Sequence, residues 1–299
     1  MERVKLSIAP VQEEVTCEPE TKTVLASSKI LWLPADELAV FSAGDKARFV
    51  SMNTIRTGST TFSGTVTVPT AAEGNAAYVW ALYPYNVNAT YNDGKITTTL
   101  PSSQVGANGT FGDDLLPMMG RSLNPFIEEG QEIDFGVSAG GVGTSIYDID
   151  PGEEGWVIPT DPGSTSTQAI RMTFSVISSG FRFTVSRSDI KSITMTATGG
   201  EALAGTYTAC FDENDVPKVQ NVTNASSSVT ITAPDDGTFE PGVSYYMVLL
   251  PTRLSQGATF TFTTDDSMTG TRTVSSAFSL VRSKFTWKEN LDSKAVFPE

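Results

Sequence analysis

Carboxylates are the most abundant ionisable side chains of this 299-residue chain, which carries 34 Asp and Glu and no histidine. Six pairs of identical acids stand side by side: Glu13-Glu14, Asp113-Asp114, Glu128-Glu129, Glu153-Glu154, Asp235-Asp236 and Asp265-Asp266. A glycosidase needs two acids held across a sugar ring on rigid elements, and neighbours in a turn do not give that separation. The hard oxygens of Asp212-Glu213-Asn214-Asp215 and Asp148-x-Asp150 suit calcium better, but neither follows the spacing of a helix-loop-helix calcium loop. The commoner use of such doublets is a solvated surface turn.

Other chemistries find less support. Without histidine there is no Ser-His-Asp or Cys-His nucleophile system, and no His-containing zinc or haem site. Cys17 and Cys210 lie 193 positions apart with no second ligand beside either. They read as two free thiols, with one long-range disulfide as the alternative. Ala139 to Gly143 (AGGVG) is glycine-rich but lacks the Lys-Ser/Thr of a phosphate loop. Tyr78, Trp80, Tyr83 and Tyr85 are aromatic residues of the kind that stack on sugars, although packing is their commoner role. Against the 34 acids stand 20 Lys and Arg, a net charge of −14, scattered singly with no basic stripe. Such a chain is ill suited to nucleic acid or anionic lipid. We expect no catalytic residues, no metal ligands, no cofactor and no enzymatic activity.

The elements that position these residues are strands. Apolar residues alternate with polar ones in short runs: Val4, Leu6, Ile8; Phe62, Val66, Val68; Ile133, Phe135, Val137; Phe181, Phe183, Val185; Ile193, Met195, Ala197; Val229, Ile231; and Phe260, Phe262. The 39 Thr and 31 Ser fill many intervening positions, as suits the outward face of a half-buried strand. Asn92-Asp93-Gly94, Ala107-Asn108-Gly109, Gly199-Gly200 and Asp235-Asp236-Gly237 mark turns between runs. No helix longer than two turns is predicted, with short helical turns conceivable at 186–191 and 113–118. The chain therefore reads as all-β, built of short antiparallel strands.

A tract rich in Pro, Gly, Ser, Thr and acids, Asp148 to Ser166, marks a linker. It predicts an N-terminal domain over residues 1–165 and a C-terminal one over 166–299. The alternative is a long insertion within one larger sandwich. The chain starts Met1-Glu2-Arg3 with no apolar run of the signal-peptide kind. That start fits either a non-exported protein or one from which an export signal has been removed.

Four segments in order resemble the fimbrillins of Bacteroides-type bacteria, the pilin family of their surface fimbriae. The first is Thr21-Lys22-Thr23-Val24-Leu25 followed by Trp32-Leu33-Pro34-Ala35-Asp36-Glu37-Leu38-Ala39-Val40-Phe41. It is similar to that family's Thr-Arg-Thr segment leading into Trp-x-x-Gly-Asp-x-Ile-x-Val-Phe, with Ala35 in place of Gly and Lys22 in place of Arg. The second, Trp80 to Asn86, resembles a Tyr-Pro-Tyr strand end. The third, Met172 to Val185 with Ile193 to Gly205, resembles the opening of the family's C-terminal domain. The fourth is the late apolar strand Tyr245 to Pro251. Leu123 to Thr167 matches nothing in that pattern.

The resemblance implies two antiparallel β-sandwich domains of transthyretin-like, Greek-key character. It also implies an exported lipoprotein precursor at the cell surface, on the outer membrane or in a fimbrium. Its partners would be other fimbrial subunits in a homo- or heteropolymer, a maturation protease and host or bacterial surface ligands. Assembly would proceed by strand exchange after the protease removes the first strand. On that reading Val4, Leu6 and Ile8 form the removable N-terminal strand. The cut falls between Val11 and Lys29, with Lys22 the leading processing site. Burying three such side chains is worth about 5–8 kcal/mol, enough for an intact first strand to block exchange. A permanent edge strand is the simpler reading of the same residues. The stretch Phe278 to Glu299 is either the last strand of its own domain or a donor to the next subunit. The main alternative function is a surface-anchored adhesin or glycan-binding lipoprotein that does not polymerise, with Trp80 or Trp156 as exposed contacts.

Overall fold

The computed structural model describes residues 2–12, 32–42, 44–52, 54, 60–68, 78–112, 114–123 and 170–298. The strands are β1 (Glu2–Gln12), β2 (Glu37–Ser42), β3 (Asp45–Ser51), β4 (Phe62–Val68), β5 (Tyr78–Tyr83), β6 (Thr90–Asn92), β7 (Lys95–Leu100), β8 (Ser103–Val105), β9 (Met118–Leu123), β10 (Ile170–Val176) and β11 (Ser179–Phe183). They continue as β12 (Ile190–Ala197), β13 (Ala204–Phe211), β14 (Pro217–Ser226), β15 (Ser228–Thr232), β16 (Tyr245–Leu249), β17 (Thr252–Leu254), β18 (Ala258–Thr264), β19 (Thr269–Val274), β20 (Phe278–Leu280) and β21 (Phe285–Lys288). The all-β expectation holds. Among the described residues the helical content is one 3-10 turn, Pro234–Asp236. Residues 186–189 run as bends and extended chain into β12, so the helical turn conceived there does not form.

The chain forms two compact units. The first comprises the described residues of Met1–Glu13, Ile30–Ala81 and Gly120–Phe174. Its strands link edge to edge in a closed ring, β1-β10-β9-β5-β2-β3-β4, so β4 returns to β1. Closure leaves no free edge, which removes the usual route to unwanted strand pairing. Leu38, Val40, Phe41, Phe49, Phe62 and Val66 lie in its core.

The second unit comprises the described residues of Leu82–Met119 and Ser175–Glu299. The division therefore differs from the expected cut at residue 165. β7 pairs with β13 from Leu100↔Gly205 to Lys95↔Cys210, and β8 pairs in parallel with β15. A linear boundary would sever both ladders. The tract over residues 148–166 lies outside the described residues, as do Ile133, Phe135, Val137, Cys17 and Trp156.

Alternation sets the faces of the five-stranded sheet β19-β18-β12-β15-β8. Ile193, Met195, Val229, Ile231, Phe260 and Phe262 are buried, in one cluster with Phe181, Phe183 and Tyr245. The intervening positions are hydroxyls in register: Thr194 lies between Thr230 and Thr261, and Thr196 between Ser228 and Thr259. Several bond across strands, Thr194 to Thr230 at 2.7 Å and Thr196 to Ser228 at 2.9 Å. This pattern explains how a chain with 18% charged residues clothes its sheets. Threonine favours the strand and satisfies its own hydroxyl against the neighbour.

At one sheet edge of the second unit a side chain takes the place of a strand. β16 ends the sheet β16-β11-β21. Gln104, 1% exposed, donates its amide N–H to the Val248 carbonyl at 2.7 Å and accepts the Val248 N–H at 3.0 Å. The side chain thus stands in for a missing strand. Gln104→Leu would leave both buried backbone groups unpaired, and we expect a loss of about 2–4 kcal/mol in chemical unfolding.

The turn before β2 carries a different cost. Asp36 N–H bonds Leu33 carbonyl at 3.3 Å, and Leu33 N–H bonds the Asp36 carboxylate at 2.6 Å. Pro34 fits the second turn position, and Ala35 must then take φ 63 in the third. The resembling pattern has glycine at this place, and the backbone shows why. Relief of about 1–2 kcal/mol for the left-handed conformation, less about 0.4–1 kcal/mol of added unfolded-state freedom, makes Ala35→Gly stabilising. A raised urea midpoint checks it.

Candidate strand-exchange seam

β1 is the closing strand of the first ring. Along its first part it pairs antiparallel with β4, from Glu2↔Val68 to Ile8↔Phe62. Along its last part it pairs in parallel with β10, from Ile8↔Ile170 to Gln12↔Phe174. The positions singled out in the sequence have defined partners: Val4 opposite Val66, Leu6 opposite Gly64, Ile8 opposite Phe62. Phe62 and Val66 are fully buried, and residues opposed on an antiparallel ladder share a face of the sheet. Gly64 is glycine for a close approach. A Cβ there would meet the Phe49 ring at 2.5 Å and the Arg48 carbonyl at 2.7 Å.

An aromatic cluster joins the two flanking strands. Trp32, 1% exposed, packs edge-on against Phe62 of β4 with centroids 5.0 Å apart. It packs likewise against Phe174 of β10 at 5.7 Å. One indole therefore touches a ring from each strand bordering β1. Residues 13–31, which hold Lys22 and the expected processing segment, lie outside the described residues. Sequence reading found Val4, Leu6, Ile8 and Phe62 through alternation. It missed the Trp32–Phe174 contact and the parallel partner β10, because no local pattern pairs residues 142 and 162 positions apart.

Burial corrects one sequence expectation, and pairing decides one that the sequence left open. Trp80 is 5% exposed, with the Arg121 guanidinium 5.6 Å from its ring centroid, so it is not an exposed sugar contact. The stretch from Phe278 onward belongs to its own unit: β20 pairs with β17 and β21 runs parallel to β11. Beyond β21, the Asp292 carboxylate accepts bonds from Ser186 N–H and Oγ, both 2.7 Å, and from Arg187 N–H at 3.0 Å. Val296 bridges Thr271, and Phe297 packs on Gly270 with Arg187 4.3 Å from its ring centroid.

The acids serve turns. The Asp212 carboxylate accepts the Asn214 and Val216 N–H groups, at 2.9 and 3.0 Å, and pairs with Lys218. Bonds from those N–H groups hold its pKa below the ordinary carboxylate range. The Thr264 hydroxyl does the same for Asp266, the Ser255 hydroxyl for Glu201, and the Arg187 guanidinium for Asp189. Among the described residues, no three His, Cys, Asp or Glu side chains gather as metal ligands. Each depressed group stabilises the fold fully above its unfolded pKa of about 4. That contribution is lost as pH falls through the lower folded value. Urea midpoints should therefore be level from about pH 7 to 5 and drop below about pH 4, and Asp212→Asn should make the acid drop shallower.

No protein-family model and no curated protein sequence matches the chain. Its structural neighbours include proteins from Bacteroides species. A candidate cell adhesion protein from Bacteroides ovatus is 10% identical, with 100% of this chain and 96% of that one covered and a TM-score of 0.46. Another from Bacteroides fragilis is 12% identical, covering 98% and 96%, with a TM-score of 0.43. A fimbrial protein from Bacteroides ovatus is 9% identical, covering 96% of this chain and 50% of that one, with a TM-score of 0.37.

Proposed function

We propose that the chain is a non-enzymatic structural subunit, stalk or tip, of a cell-surface fimbria that supports adhesion. Assembly follows proteolytic removal of β1, and a strand from a neighbouring subunit takes its place. The carrying observation is that β1 closes the ring between β4 and β10 through two ladders, while Trp32, Phe62 and Phe174 tie those two strands together without it.

Loss of β1 would free the backbone groups of β4 and β10 and uncover the face holding Phe62 and Val66. An incoming strand re-forms hydrogen bonds worth about 0.5–1.5 kcal/mol each and reburies the apolar face, which is β-augmentation. The uncleaved chain already fills that position, so it stays monomeric. Lys22 suits a protease that accepts lysine rather than one restricted to arginine. On the resemblance described above, the subunit would be delivered as a lipoprotein precursor and act at the outer surface.

Limited trypsin digestion followed by electron microscopy and sedimentation tests the reading. Cleavage between residues 11 and 29 should release the first strand, and filaments or ordered oligomers should follow. Lys22→Gln should slow that cut. Complete loss of β1 with the remainder still monomeric would sink the proposal, as would resistance of this segment to cleavage.

A further inference from the structure

The second unit carries a cleft of about 430 Å3, lined by residues from the end of β5, from β7 and from the loop before β9. That volume lies within the ~300–1,000 Å3 usual for small-ligand sites. Tyr83 and Tyr85 line it, each half-buried, with Asn86 and Thr98 beside them and the exposed Asp114 also contributing. Among the described residues, no lysine or arginine lines it.

We infer that this cleft binds a neutral pyranose sugar. Two aromatic rings offer surface for the apolar C–H face of such a ring. Polar groups set in place beforehand address its hydroxyls. Thr98 is 6% exposed and its Oγ1 accepts the Asn86 Nδ2–H at 3.2 Å, which leaves the threonine proton to be donated onward. The Asn88 N–H bonds the Asn86 Oδ1 at 2.8 Å and fixes the amide's orientation, leaving its second N–H available. Asp114 places a carboxylate at the rim of the cleft. With one acid and no cation among its described lining residues, and a chain charge of −14, the cleft repels phosphate, sulfate and sialic-acid ligands. Aromatic rings, neutral donors and one carboxylate match an uncharged polyol with an apolar face.

This inference deepens the adhesive part of the reading above by naming a ligand class. Its test uses the uncleaved monomer, so its failure leaves strand exchange untouched. Methyl glycosides of glucose, galactose, mannose, fucose and N-acetylglucosamine are titrated against the full chain by saturation-transfer and amide-shift NMR, with N-acetylneuraminic acid as the anionic comparison. At least one neutral glycoside should bind with a Kd of about 1 mM or below. Its shift changes should centre on residues 83–87, 98–101 and 114–117. Thr98→Val and Tyr85→Ala should each weaken binding about tenfold with the circular dichroism spectrum retained. Several outcomes overturn the inference: no neutral glycoside bound at about 10 mM, shifts centred elsewhere, tighter binding of N-acetylneuraminic acid, or folded variants of unchanged affinity. The shift map on the unaltered chain decides the matter even if a variant fails to fold.

Discussion

Ring closure by the first strand is the constraint on which the first unit rests. β1 meets β4 through an antiparallel ladder and β10 through a parallel one, and without it the ring has two raw edges. A closed ring satisfies every strand's backbone, so no edge remains to recruit another chain. The element that completes it comes from the chain's beginning. Everything proposed about assembly follows from that placement: the strand that protects the ring is also the one whose loss unprotects it.

On the proposed exchange, the aromatic cluster would give the opened state a reason to persist. Strands β4 and β10 are far apart in sequence, and Trp32 binds a ring from each. Such edge-to-face pairs contribute about 0.5–1.5 kcal/mol each beyond the apolar area they bury. They hold the borders of the seam without help from β1. A groove kept in shape costs an incoming strand less ordering than a collapsed one.

The second unit solves its edge problem by other means. Gln104 caps β16 with a side-chain amide, and the last residues are laced down by Asp292, Val296 and Phe297. Asp212 and Asp266, which in sequence look like ligands or part of a catalytic pair, are absorbed into turns, where backbone N–H groups and a hydroxyl occupy their oxygens. The low charge of the sheets is offset by threonine and serine rows that bond across strands.

Local pattern was enough to give the class of structure. Period-two alternation found the runs of β1, β4, β11, β12, β15 and β18, because a half-buried strand must send successive side chains to opposite faces. Asn92-Asp93-Gly94 marked the β6–β7 hairpin because Asp93 and Gly94 accept φ 45 and 73 there. Partner choice was beyond the same reading. The parallel match of β1 to β10, the transfer of residues 82–119 to the later unit and the contact of Trp80 with Arg121 all join residues distant in sequence. Alternation tells a strand which face to bury, while its neighbour is settled by which ladders and cores can be completed together. The sequence alone therefore determined that this chain is built of half-buried strands separated by acidic turns. Tertiary structure decided which strand seals the ring, since that depends on two edges brought together only by folding.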